Sequence, residues 1–155
     1  MYRSDLTESV QKNTALTVFA LFMLACIFSL MIGSSFHIAE PPEEYLGISS
    51  LGSTLDQRID FLQKLGYSPD PSSEEHEEVS IPTVFGDVYK NYNDIQKQSG
   101  GDLSQYKGAE CTRYTYRDES SDMMLNLLVF DGRIIGGDKC TYALDGKMEA
   151  LGTTD

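Results

Sequence analysis

The run TALTVFALFMLACIFSLMIG, from Thr14 to Gly33, holds 20 residues and no charge. A helix rising about 1.5 Å per residue needs about 20 residues to cross about 30 Å of hydrocarbon. A helix packed in a water-soluble domain keeps a polar face, and this run has none. It predicts a transmembrane helix over residues 14–35, embedded in membrane lipid, and leaves any water-soluble fold to the residues after it. Residues 1–13 become a short tail. Arg3 and Lys12 precede the span, whereas Glu40, Glu43 and Glu44 follow it, with no Lys or Arg before Arg58. Positive charge stays on the cytoplasmic side. The expected topology is single-pass in the cell membrane, with a cytoplasmic N-terminus and an extracytoplasmic C-terminal domain. A signal peptide has a shorter apolar region of about 7–15 residues, so the run reads as an uncleaved signal anchor. Cleavage among the small residues Gly33 to Ser35, giving a secreted protein, is the alternative.

The formal charge of −12 falls wholly beyond the span. Residues 1–35 balance, and the remainder carries 10 Lys and Arg against 22 Asp and Glu. Such a surface repels nucleic acid and suits solubility or a cationic partner. No nucleic-acid partner is expected; an envelope protein is the partner class that fits.

Residues 36–52 contain Glu40-Pro41-Pro42-Glu43-Glu44, which favours extended backbone. They read as an acidic, proline-bearing tether, and residues 53–155 as the folded domain. Ser53 to Leu65 predicts a helix, capped by Ser53, with Leu55, Ile59, Leu62 and Leu65 on one stripe and Gly66 as its stop. Tyr67 to Pro71 reads as a turn cluster. Glu74 to Ile81 alternates enough for an edge strand ending at Pro82. Thr83 to Gln98 predicts a second helix, opened by Pro82, with Phe85, Tyr89 and Tyr92 on its packing face.

Three strand-like runs follow: Cys111 to Arg117, Leu125 to Phe130, and Arg133 to Leu144. Alternation puts Thr112, Tyr114 and Tyr116 on one face of the first and Arg113, Thr115 and Arg117 on the other. Asp131-Gly132 between two apolar runs signals a two-residue type I′ hairpin. Gly136-Gly137 within the returning strand signals a bulge or a close backbone approach. Asp145-Gly146 is a second turn signal. The whole predicts an α+β domain, two helices packed on a small, mostly antiparallel sheet. Its expected core sets Tyr114, Tyr116, Leu128 and Ile135 against Tyr89 and Tyr92.

The glycine-rich stretch lacks the Gly-Lys-Ser/Thr ending of a phosphate loop, the spacing of a dinucleotide fingerprint and the alternate acids of a calcium loop. Two histidines, His37 and His76, leave little for Ser-His-Asp, Cys-His or multi-histidine metal chemistry. No catalytic residue, metal ligand or cofactor is assigned. The acidic run Glu74-Glu75-His76-Glu77-Glu78 reads as a solvated segment. A disulfide between Cys111 and Cys140 is left open, although a simple meander puts them on non-neighbouring strands, beyond the reach of about 7 Å. If the sheet forms a ligand groove, the candidates are Arg113, Tyr114, Gly136, Gly137 and Asp138. The leading reading is a non-catalytic binding or regulatory module at the cell envelope. The alternative is an envelope enzyme using a carboxylate pair.

The segments RIDFLQKLGY, EEVSIPTVFGDVYKNYNDIQKQSGGDLSQYKG, RYTY and NLLVFDGRIIGGDKCTYALDGKMEAL together resemble a family of clostridia-type bacteria, domain of unknown function 4830. The resemblance runs from Arg58 to Leu151. It implies a small single-span or signal-bearing protein with one extracytoplasmic domain, and it brings no known catalytic residue, ligand or partner.

Overall fold

A computed structural model describes residues 38–142 and 146–152. The predicted span over residues 14–35 lies outside the described residues, as does Asp145 of the second turn. Among the described residues no helix is long and apolar enough to cross a membrane.

The elements in chain order begin with a small hairpin, β1 (Glu44–Tyr45) and β2 (Ile48–Ser49), and helix α1 (Leu55–Lys64). Strand β3 (Pro69–Ser80), helix α2 (Asp87–Gln98) and a 3-10 turn (Leu103–Tyr106) come next. Then follow β4 (Glu110–Asp118), β5 (Met123–Phe130), β6 (Arg133–Thr141) and β7 (Met148–Ala150). Strands β3 to β7 form one sheet in chain order, each antiparallel to the next. This is the expected α+β architecture, with two helices on an antiparallel sheet. At the β5–β6 hairpin Asp131 has φ 48° and Gly132 φ 74°, the pair of positive values that a type I′ turn requires. Leu128 pairs with Gly136 but Val129 pairs with Ile134, so Ile135 is an extra residue and β6 carries a bulge beside its glycine pair.

Strand alternation divides the interior in two. Tyr116, Leu125, Leu127, Val129 and Ile134 pack with Phe61 and Leu62 of α1 and with Tyr45. Cys111, Leu128 and Ile135 pack on the other face with Leu103 and Tyr106, and against Phe85, Tyr89 and Tyr92. This corrects the expected core. Tyr114 and Tyr116 belong to the α1 side, whereas Leu128 and Ile135 meet Tyr89 and Tyr92 on the α2 side. Periodicity gives the parity of a strand but not which helix covers which face.

Three boundaries also move. First, the segment expected as a tether is part of the domain from Ile38 onward. Tyr45 is 4% exposed and lies in the core, and Ser50 is fully buried. The Ile134 N–H donates to the Ser50 carbonyl at 2.6 Å, which stitches the segment to β6. Second, α1 is capped by Thr54 rather than Ser53, with a reciprocal bond from the Thr54 N–H to the Gln57 side chain. Gly66 ends it at φ 90°, as expected. Third, α2 begins at Asp87 rather than Thr83, with Gly86 extended at its cap. The chain around Ile81 is held by Ile81 N–H to Ala109 O and Gly108 N–H to Ile81 O. Val84 is therefore 80% exposed, and Val88 is 85% exposed.

The expected turn at Tyr67 to Pro71 is instead the start of β3, where Pro69 pairs with Asp118. An edge strand tolerates proline because one side of it has no ladder to supply. The pairing skips between Asp70 and Glu75, where Ser72 and Ser73 bond to Asp70 instead. The acidic run is thus edge strand, and its charges guard an edge open to pairing with other chains.

Candidate functional site

The five groove candidates do not share a face. Asp138 pairs with Asn126 and Gly136 with Leu128, which puts them, like Arg113, on the α2 side. Tyr114 and Gly137 pair with Leu127 and face α1. Exposed Arg113 reaches Glu77 on β3, Nη2 to Oε1 2.7 Å. Tyr114 lies beneath the Arg58 guanidinium, 3.6 Å from ring centroid to Cζ. The two glycines admit close neighbours. A Cβ on Gly137 would stand 2.6 Å from the Asn126 carbonyl oxygen, and one on Gly136 2.7 Å from Gln96 Oε1. Both expected devices, bulge and close approach, occur here together.

Asp138 is 1% exposed. Its carboxylate accepts from Tyr92 Oη at 3.0 Å and from Asn126 Nδ2 at 2.8 Å. Thr115 Oγ1 donates to Asn126 Oδ1 at 2.7 Å. A polar row therefore crosses β4, β5 and β6 to reach α2. Burial raises the Asp138 pKa, and the bonds from Asn126 and Tyr92 only partly offset it. Burial likewise pushes the Tyr92 hydroxyl well up, reinforced by Asp138. Cys140 and Cys111 are free thiols. Burial raises both, Cys111 to about 11, so neither has the low pKa of a reactive thiolate. They sit on β4 and β6, separated by β5, which answers the open disulfide question.

The opposite face holds a second buried charge. Arg58 is 4% exposed. It donates from Nε to Tyr116 Oη at 2.7 Å, from Nη1 to Gly52 O at 2.7 Å and from Nη2 to Glu74 Oε2 at 2.8 Å. Tyr116 Oη also donates to Glu74. Burial alone would raise the Glu74 pKa, but the bonds from Arg58 and Tyr116 win and hold it below the ordinary range. Glu74 and Asp138 stand on opposite sides of the sheet; a third engaged carboxylate, Asp118 at the end of β4, is 3% exposed and accepts from the Ser68 N–H and from the Ser120 and Ser121 hydroxyls.

Helix α2 covers only one end of its face. Beyond Asp138, the same face continues through Cys140, Tyr142, Met124, Met148, Thr115 and Arg117. Tyr142 is 50% and Met148 40% exposed, and Arg117 Nε lies 3.2 Å from Tyr142 Oη. Two adjoining grooves of about 70 and 60 Å³ share Glu75 and Thr115. They are shallow beside the roughly 300–1,000 Å³ of small-molecule sites. Arg117, Met124 and Tyr142 were not among the sequence candidates. The alternation that gave Arg113 and Thr115 extends to Arg117, and strand pairing supplies the other two. A wider hollow of about 380 Å³ beside α2 carries Lys90, Lys97 and Lys107. Each already has a neighbour: Asp87, Asp94 and the Phe85 ring.

Residues 61–137 match a family described as a domain of unknown function (DUF4830). The chain carries a DUF4830 domain. The matched stretch starts in α1 and ends in β6, so it takes in Arg113, Tyr114, Gly136 and Gly137 and stops one residue before Asp138. Arg58, β7 and the stitched segment from Ile38 flank the DUF4830 match. No curated protein matches the chain, and neither does any solved structure.

Proposed function

We propose that the protein is a membrane-anchored, extracytoplasmic, non-catalytic module that binds another envelope protein through the uncovered end of its sheet. The apolar run at residues 14–35 and the flanking charge support the anchor and its orientation. The observation that carries the binding role is the open half-face with Arg117, Tyr142, Met124 and Met148 around shallow grooves. Arg, Tyr and Met are enriched at protein interfaces. Shallow relief suits a partner chain rather than a buried small molecule.

The test is photo-crosslinking in cells with a reactive residue at position 142, compared with one at exposed Asp60. A discrete protein adduct at 142 and none at 60 is the expected result. Equal adducts at both, or none at either, sinks the reading. A reporter active only in the cytoplasm, fused after Asp155, is expected to stay silent.

A further inference from the structure

Three sulfur side chains lie in one row across the open end of the sheet. Met124 of β5 pairs with Cys140 of β6, and Cys140 pairs with Met148 of β7. Directly paired residues share a face, with Cβ atoms about 4.5–5.5 Å apart. Cys140 therefore stands between two thioethers, one on each neighbouring strand. Methionine is unbranched, with a polarisable sulfur that adapts its position, so both side chains can bend over the central thiol. The row can be reached from solvent: Met148 is 40% exposed, and Met124 and Cys140 are half-buried.

The surroundings of the central sulfur support the same role. Cys140 is a free thiol. Asn126 Nδ2 lies 3.6 Å from its sulfur while it donates to Asp138, and a polar contact of this kind orients a metal ligand. Cys111 gives the contrast. It is 2% exposed and pairs with Val79 on β3, so it has neither access nor a sulfur partner there. Among the described residues no set of three His, Cys, Asp or Glu side chains is placed to hold a metal ion. The row at Cys140 differs in kind, because its donors are sulfur. Thiolate and thioether favour soft ions such as Cu(I), whereas carboxylate and carbonyl oxygen suit hard ones.

We propose that Met124, Cys140 and Met148 form a binding site for a soft monovalent metal ion, with Cu(I) as the type. As the metal–sulfur bond forms, the thiol releases its proton to solvent, and thiolate and ion together carry no net charge. The two thioethers complete a three-sulfur set without adding charge, and no electron is transferred. The site shares Met124 and Met148 with the open sheet end, but it needs no protein partner and stands or falls apart from that reading.

Full-length protein in detergent, with ascorbate to hold the copper reduced, is titrated with Cu(I) in competition with the chelator bathocuproine disulfonate. One ion per chain is expected, and excess Ca²⁺ should not displace it. Cys140→Ser is expected to weaken binding at least about 100-fold, and Met124→Leu and Met148→Leu each at least about ten-fold, since even an indirect contact to a metal ligand commands about 10–100-fold. Leucine nearly conserves the side-chain volume, so both methionine variants should unfold near the wild-type temperature when metal-free. Cys26→Ala with Cys111→Ala removes the other two thiols and is expected to leave Cu(I) affinity unchanged. No binding by wild type, or affinity that survives Cys140→Ser, overturns the proposal. Loss in Cys140→Ser with unchanged affinity in both methionine variants overturns it too, because the thiol then acts alone. Displacement by Ca²⁺ would reduce it to general attraction to an acidic surface.

Discussion

The two faces of the sheet bury charge in opposite ways. On the α1 side the charge comes as a pair. Arg58 and Glu74 neutralise each other, and Tyr116 closes the triangle. On the α2 side Asp138 is buried with neutral donors only, Tyr92 and Asn126. A pair stays ionised because each partner replaces the other's water; at Asp138 burial outweighs its two neutral donors and presses the carboxylate toward its protonated form. The same alternating strands therefore make one face closed and electrostatically satisfied, and the other partly open and titratable.

The sharpest way to break this contrast is to remove the cation. Arg58→Ala leaves Glu74 without its charge partner and should cost about 3–5 kcal/mol, read from the urea midpoint. A loss below about 1 kcal/mol would make the pair an ordinary surface bridge. The glycines come next. Gly137→Ala drives a Cβ against the Asn126 carbonyl, which is backbone and cannot swing away. It should cost about 1–3 kcal/mol. Gly136→Ala meets the buried end of the Gln96 side chain, whose Oε1 accepts from the Gly137 N–H at 2.8 Å, and should cost less because a side-chain end can shift by a few tenths of an ångström where backbone cannot. Equal melting losses for the two would contradict the geometry.

The pH dependence separates the faces by sign. Glu74 is held below its ordinary 4.5, so the stability it contributes is fully present above that value. It is lost as pH falls through the lower folded pKa. Asp138 is raised above 3.8, so its contribution is present below that value and is lost as pH rises through the folded pKa. On acidification from pH 7, wild type should lose stability relative to Glu74→Gln and gain it relative to Asp138→Asn. Two slopes of the same sign would collapse the comparison. The smallest stability effect belongs to the open end. Tyr142→Ala should shift stability by no more than about 0.5 kcal/mol, while removing the partner adduct expected at that position.

Local signals in the sequence gave the local structure. Asp131-Gly132, the Gly66 stop and the alternation of RYTY each describe a neighbourhood of a few residues, and the chain forms them. Apart from the cap of α1, where Thr54 and Gln57 form a local box, the larger differences involve distant partners. Tyr45, Leu46 and Ile48 look like a few apolar residues in a proline-bearing acidic stretch, and only contact with α1 and β6 makes them core. Pro69 to Ser73 reads as a turn until Asp118 and Arg117 lie alongside. Among the groove candidates, Arg113 and Asp138 stand out locally as charged residues inside strands. Tyr114 was grouped with them because nothing local tells which helix roofs which face. Arg58 was seen only as a charge marking the end of a cation-free stretch, since its meaning depends on Glu74 and Tyr116, 16 and 58 residues away.

The bulge at Ile135 acts on β6 as a frameshift acts on a coding sequence. Before it, odd-numbered residues face one layer; after it, they face the other. Ile134 and Gly137 both look toward α1, three positions apart. Flattening the bulge without removing a residue would turn Asp138 toward α1 and Gly137 toward α2, exchanging a carboxylate and a bare backbone between two interiors built for the other, whereas deleting Ile135 would leave both facing as they do. One extra residue thus decides which interior receives each side chain of the strand beyond it.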